Sequence, residues 1–334
     1  MKKTQTNLII KTKKGLYCPQ GDFYLDPVSR SKVETALISH GHADHLRAGH
    51  KHYICTEKSL PILNKRIDSP NKQPHNIKTF GYGEVFHLGE VKISFHPAGH
   101  ILGSAQIRME YNDEVWVYTG DFKRGADPTC EPFEVIPCDV LISEATFSLP
   151  VFRWPDFESE VESIYHWWQE NKKENKPSVL GAYSLGKAQR IMKALRQFTQ
   201  EEILVHGAVD EICQAYKKVG VDVGPYQRIT KETKDFAGQL IISPPSAIRS
   251  SWSKKFKNKT TAFASGWMRV RGNRRRRGVE RGFIISDHAD WDSLVRTFRE
   301  TGAKKIFLFH ENTQAMQKHL TEQGFNISST KELV

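Results

Sequence analysis

Along the first 150 residues, apolar and polar positions alternate with the period of two that half-buried strands require. Segments 84–88 and 91–96 flank Gly89-Glu90, and Val91, Ile93 and Phe95 share one face, which predicts a hairpin. A second hairpin is predicted over 105–111 and 114–119, joined at Asn112-Asp113, two residues that tolerate turn geometry. Segments 35–39 and 139–143 read as short apolar strands. The spacing changes at Asp156, which can cap a helix carrying Phe157, Val161, Ile164 and Trp168 on one face. Strands at 178–183 and 202–206 then alternate with helices at 186–198 and 207–219, followed by strands at 240–243 and 261–264. Such alternation predicts a parallel, doubly wound sheet. Two more strand–helix units close the chain: 282–286 with 291–300, and 305–309 with 313–322, the helices ending at Gly302 and Gly324.

Composition adds bounds rather than identity. A length of 334 residues favours two domains over one, and 38% apolar with 26% charged residues excludes wholesale disorder. No apolar run reaches the ~18–20 residues of a membrane span. The basic start lacks the apolar stretch of a secretory leader, and the five cysteines form no CxxC pair; both suit a reduced, cytoplasmic protein. The net charge of +11 points to a polyanionic partner, nucleic acid or an anionic surface. Segment 269–281 concentrates seven arginines in thirteen residues. Arg269, Arg271, Arg274, Arg275, Arg276 and Arg277 read either as a solvated surface loop or as a clamp on phosphates, which guanidinium forks bind bidentately. Trp154, Trp252 and Trp267 are candidates for base stacking or for the core.

The chemistry concentrates at His40-Gly41-His42-Ala43-Asp44-His45, directly after a predicted strand. A single six-residue loop carrying four metal-capable side chains is richer in ligands than one four-coordinate site draws from one loop, so two metals are expected. Imidazole and carboxylate without thiolate suit zinc, manganese or iron. Other predicted strand ends offer further ligands: His100, Asp121 and His310. Each alone is an ordinary strand-end residue; together they match a loop that needs partners. Asp26 is placed to orient a ligand histidine.

These motifs resemble a known family. The string from His40 to His45, with Gly99-His100 and Gly120-Asp121, is similar to the metallo-β-lactamase-fold hydrolases. Ser143-Glu144-Ala145-Thr146, Ser286-Asp287-His288-Ala289-Asp290 and Phe309-His310-Glu311 resemble motifs A, B and C of the β-CASP nucleases. The segment Ala182-Tyr183-Ser184-Leu185-Gly186-Lys187-Ala188-Gln189 resembles the sequence typical of the inserted β-CASP domain. Within that group, the compact length without a C-terminal RNA-binding extension looks most like the bacterial, Artemis-like exonucleases associated with a DNA ligase. His310 departs from the Artemis type, which typically carries an apolar residue there, and matches the RNA-processing enzymes.

The resemblance implies an α/β protein: an αββα metallo-β-lactamase core formed by 1–150 and 279–334, interrupted by an α/β β-CASP domain at 151–278, with the active site in the cleft between them. It implies one divalent metal held by His40, His42, His100 and Asp121. A second would be held by Asp44, His45, the bridging Asp121 and His310, zinc or manganese in either place. His288, oriented by Glu144, would protonate the leaving oxygen, and Asp44, Glu144 and His288 form the expected catalytic set. The implied activity is hydrolysis of nucleic-acid phosphodiesters, as a DNA exonuclease directed to 5′ ends in repair, with a DNA ligase and a helicase as partners. The alternatives are a β-CASP ribonuclease, a small-molecule hydrolase, and a catalytically silent nucleic-acid scaffold.

Overall fold

The structure is a computed structural model and describes residues 7–29, 33–67, 75–310 and 312–333, excluding the side chain of Arg274. The chain forms two compact units. The first comprises residues 1–126, 130–150 and 288–334; the second comprises 127–129 and 151–287.

Among the described residues, the first unit stacks two sheets. One has six strands in sequence order, Ile10–Thr12, Gly15–Cys18, Phe23–Leu25, Thr35–Leu37, His52–Thr56 and Asn76–Phe80, the last four parallel. The other has seven, running Ile327–Ser329, Lys305–Phe309, Val140–Glu144, Glu114–Tyr118, Ala105–Tyr111, Val91–Pro97 and Val85–Leu88. Its first four strands are mutually parallel, and both predicted hairpins form its antiparallel half. Phe23, Leu25, Leu37 and Ile54 of one sheet pack on Phe95, Ile107, Ile142 and Phe307 of the other. Burying both faces of each sheet requires covering helices. Leu63 and Ile67 of the helix Leu60–Ile67 cover Ala36, Tyr53 and Cys55. Leu294 and Phe298 of Trp291–Glu300, with Met316 and Leu320 of Gln314–Glu322, cover Val117, Leu141 and Leu308. The result is the αββα sandwich.

The second unit is built on a six-stranded, wholly parallel sheet: Tyr226–Arg228, Ile203–Val205, Leu240–Ser243, Ser178–Gly181, Thr260–Ala264 and Arg281–Phe283. Helices Phe157–Lys173, Lys187–Leu195 and Gly207–Lys218 bury Val161, Ile191 and Val209 on one face. Phe256 and Ile248 close the other. Asp156 caps the first helix by accepting from the Ser159 amide.

Two features differ from the sequence expectation. Arg281–Phe283 pairs with Thr260–Ala264 and extends the second unit's sheet, so that unit runs to Asp287 rather than to 278. The arginine run is not a loop: Arg271–Arg277 is a helix, closed by Gly278 at φ +60°. Arginine is a good helix former, and glycine adopts the left-handed closing conformation without penalty. Among the described residues, no helix is long and apolar enough to cross a membrane.

Candidate metal centre

Every expected ligand of the first set sits just beyond a strand of the first unit. His40 follows Thr35–Leu37, His100 follows Val91–Pro97, and Asp121 follows Glu114–Tyr118. Two glycines allow the turns. Gly99 (φ +70°) lies so close to the Lys123 carbonyl that a Cβ there would meet it at 2.3 Å. Gly120 (φ +53°) leaves room for Ser39, whose Oγ and Cβ would be 2.6 and 2.7 Å from an added Cβ.

The side chains converge. His42 Nδ1 lies 3.1 Å from His40 Nε2 and 3.0 Å from His100 Nε2. Asp121 Oδ2 is 3.5 Å from His40 Nε2 and 3.8 Å from His100 Nε2. The four ligand atoms all lie within 4.8 Å of one another. Imidazole nitrogens of His40 and His100 each at hydrogen-bond distance from His42 Nδ1 suit a shared cation, since metal–nitrogen bonds of about 2.0–2.1 Å set tetrahedral ligand atoms roughly 3.3 Å apart. This donor set fits a divalent metal.

His45 extends the cluster, its Nε2 standing 3.3 Å from the same Asp121 oxygen. Its Nδ1 meets Asp26 Oδ2 at 2.7 Å. Asp26, buried and at φ +39°, also accepts from the Ser39 amide (2.7 Å), the Ser39 hydroxyl and the Tyr118 hydroxyl (3.0 Å). Burial, reinforced by Asp26, keeps the Tyr118 phenol protonated and donating. Ser39 and Tyr118 were not singled out in the sequence; each looked like an ordinary strand residue. Asp44 is mostly exposed, 3.9 Å from His45 Nε2.

Charge divides sharply among the side chains of the cluster. Burial, helped by neighbouring His45, holds His40 well below the usual imidazole range. Burial opposes protonation of His45 too, but Asp121 and Asp26 outweigh it and hold that imidazole well above the usual range. Burial would raise Asp121, yet His45 and His288 pull its carboxyl well below the ordinary value.

Beside this cluster lies the third group of expected residues. Glu144, at the end of the buried strand Val140–Glu144, accepts from the Phe122 amide at 2.7 Å. Its two oxygens lie 3.1 and 3.0 Å from His288 Nδ1. His288 Nδ1 is 4.0 Å from Asp121 Oδ2, and its ring packs 4.7 Å from that of His100. Thr146 donates to Glu144 and meets His310 Nε2 at 3.3 Å. His310 itself is exposed and lies in none of the close ligand groups found among the described residues. Glu311 falls outside the described residues.

In the second unit, Arg269, Arg271, Arg275, Arg276 and Arg277 are exposed. Arg269 Nε donates to the Val151 carbonyl, and Arg277 lies over Phe263. Trp267 is exposed with its edge on Phe152, Trp154 also packs near Phe152, and Trp252 packs against His206 and Phe256.

The sandwich and its histidine–aspartate cluster define a metallo-β-lactamase-fold protein. The comparisons agree: residues 18–174 match the family described as Beta-lactamase superfamily domain. A structure from Enterococcus faecalis, described as a protein of unknown function, superposes with a TM-score of 0.56 at 14% identity, covering 83% of this chain and 75% of its own. A protein named Probable DNA ligase from Opitutus terrae is 28% identical over 94% of this chain and 30% of its own length. An RNase J-like protein from Methanocaldococcus jannaschii is 27% identical over 51% of this chain and 45% of its own. The chain thus spans 30% and 45% of the length of these two curated relatives. Residues 18–174 resemble the metallo-β-lactamase fold, and the chain's relatives are consistent with the β-CASP nucleases of that fold.

Proposed function

We propose that this protein is a metal-dependent nuclease that hydrolyses phosphodiester bonds, with DNA as substrate and 5′-directed exonuclease action in repair. The observation that carries the reading is Asp121: one buried carboxylate shared by the triple-histidine group, by His45 and by the Glu144–His288 pair. His40, His42, His100 and Asp121 would hold one divalent ion; Asp44, His45, Asp121 and His310 a second, zinc or manganese. When bound, such ions polarise a phosphoryl oxygen and acidify a water to a pKa near 7.

The chain's own groups supply the rest. Asp26 fixes the orientation of His45 by accepting a hydrogen bond from its Nδ1–H. Glu144 does the same for His288, leaving Nε2 as the atom that passes a proton to the leaving oxygen. The exposed arginines of the second unit would hold the phosphate backbone of a long substrate.

The Opitutus terrae relative, matched along nearly the whole chain, favours DNA and a ligase among the partners. A helicase partner and a cytoplasmic setting belong to the same reading. RNA is the second reading, favoured by His310 and by the RNase J-like relative. Digestion of single- and double-stranded DNA and RNA, labelled at either end, with zinc or manganese, separates them. Release of mononucleotides from the 5′ end of DNA supports the first; cleavage of RNA alone supports the second; cleavage of neither overturns both.

A further inference from the structure

Outside the metal centre, the second unit seals four charges in its interior. Lys187 and Arg190 lie on the helix Lys187–Leu195, and both are at most 3% exposed. Lys187 Nζ meets Asp287 Oδ2 at 2.9 Å. Arg190 Nε lies 3.4 Å from Asp127 Oδ2, its Nη1 lies 3.8 Å from Asp287 Oδ1, and the guanidinium covers the Phe157 ring at 3.6 Å. Two cations against two carboxylates balance, but isostructural apolar packing is generally as stable as a buried ion group, so stability alone is a weak reason to keep one.

The group's place in the chain supplies another reason. Asp127 and Asp287 both stand where the chain passes between the units. Arg190 Nη1 donates to the Ser286 carbonyl at 2.9 Å, and Glu160 accepts from the Ile284 amide at 2.7 Å. Residues 284–287 are therefore tied at three points, two of them from one helix. The next residue is His288. Beyond it, the Ala289 amide donates to the Phe122 carbonyl at 2.7 Å, and Asp290 caps the helix Trp291–Glu300.

We propose that Lys187 and Arg190 are positioning residues for His288: they fix the backbone of Ser286 and Asp287, and so the point from which the His288 ring reaches Glu144. The inference rests on the reading of His288 as the group that protonates the leaving oxygen. A misplacement of about 1 Å in such a group can lower turnover by ~10²-fold.

The test compares Lys187→Met and Lys187→Arg with the parent on two substrates, an oligonucleotide and a nitrophenyl phosphodiester whose leaving group needs no proton. Lys187→Met should lower kcat on the oligonucleotide by about 10²-fold with KM little changed, spare the nitrophenyl ester, and be largely rescued in Lys187→Arg. A second readout does not depend on activity. In protein labelled with ¹³C at histidine Cε1, the His288 signal, assigned by its loss in His288→Asn, should shift in Lys187→Met and return in Lys187→Arg. Parallel losses on both substrates with an unmoved His288 signal would overturn the proposal. A moved signal in a protein that cleaves neither substrate in any form would instead count against the nuclease reading and leave the positioning intact.

Discussion

Replacing Asp26 by Asn keeps the shape of a buried side chain and removes its charge. The parent carboxylate accepts from four donors: the Ser39 amide, the Ser39 and Tyr118 hydroxyls, and His45 Nδ1. An amide offers one acceptor oxygen and two N–H groups. The oxygen can keep the Ser39 amide, and the hydroxyls can rotate to accept, but His45 loses its anionic partner. Charge-assisted hydrogen bonds contribute about 1.5–3 kcal/mol, so Asp26→Asn should destabilise the metal-free protein by roughly 2–3 kcal/mol near pH 6. The sign with pH follows from His45, whose folded pKa is raised above its unfolded value once Asp121 and Asp26 outweigh burial. Its contribution is complete below an unfolded pKa of about 6.5 and is lost as pH rises through the folded value. Urea unfolding of chelator-treated parent and Asp26→Asn, followed by tryptophan fluorescence from pH 6 upward, reads the deficit directly. It should narrow with rising pH, while Asp44→Asn, at an exposed position, should change little. A deficit that stays constant or grows with pH would refute the assigned Asp26–His45 pairing.

Gly120→Ala combines a positive φ with a Cβ driven into Ser39, and should cost about 2–4 kcal/mol in urea unfolding; a change under 1 kcal/mol would mean the loop relaxes freely. His288→Ala should lower oligonucleotide turnover about 10²–10⁴-fold at unchanged metal content while largely sparing a nitrophenyl phosphodiester; equal losses on both would assign His288 to phosphate binding. Replacing Arg275, Arg276 and Arg277 together by Gln should flatten the dependence of log affinity on log salt by up to ~2 units, at about 0.7 per phosphate contact on a single strand. An unchanged slope in filter binding would make the arginine helix a bystander.

The histidine-rich loop was legible because four ligand-type side chains fall within six residues, and both hairpins because their alternation is regular and their turns are marked. The parallel sheet of the second unit was legible for the same reason, strands alternating with helices of clear period. The strands Ile10–Thr12 and Gly15–Cys18 were not, since three or four residues carry too little alternation to stand out. Tyr118 gave no local signal either: its role comes from a hydroxyl meeting a carboxylate 92 residues away in sequence. The burial of Lys187, Arg190 and Asp287 was not legible, because the sequence does not reveal that distant segments enclose them together. The helix of the arginine run was not legible because Gly272 and Gly278 interrupt any periodic pattern, although arginine itself favours helix.

In the proposed nuclease, catalysis depends on a metal held by His40, His42, His100 and Asp121. The most direct test of that dependence is cleavage of a labelled oligonucleotide by chelator-stripped parent and His100→Ala as zinc or manganese is returned in stoichiometric steps, with bound metal counted in parallel. The parent should be silent when stripped and recover in step with metal bound, and the variant should neither bind that equivalent nor recover. Cleavage that survives stripping, or a His100→Ala protein that recovers alongside the parent, would contradict the account.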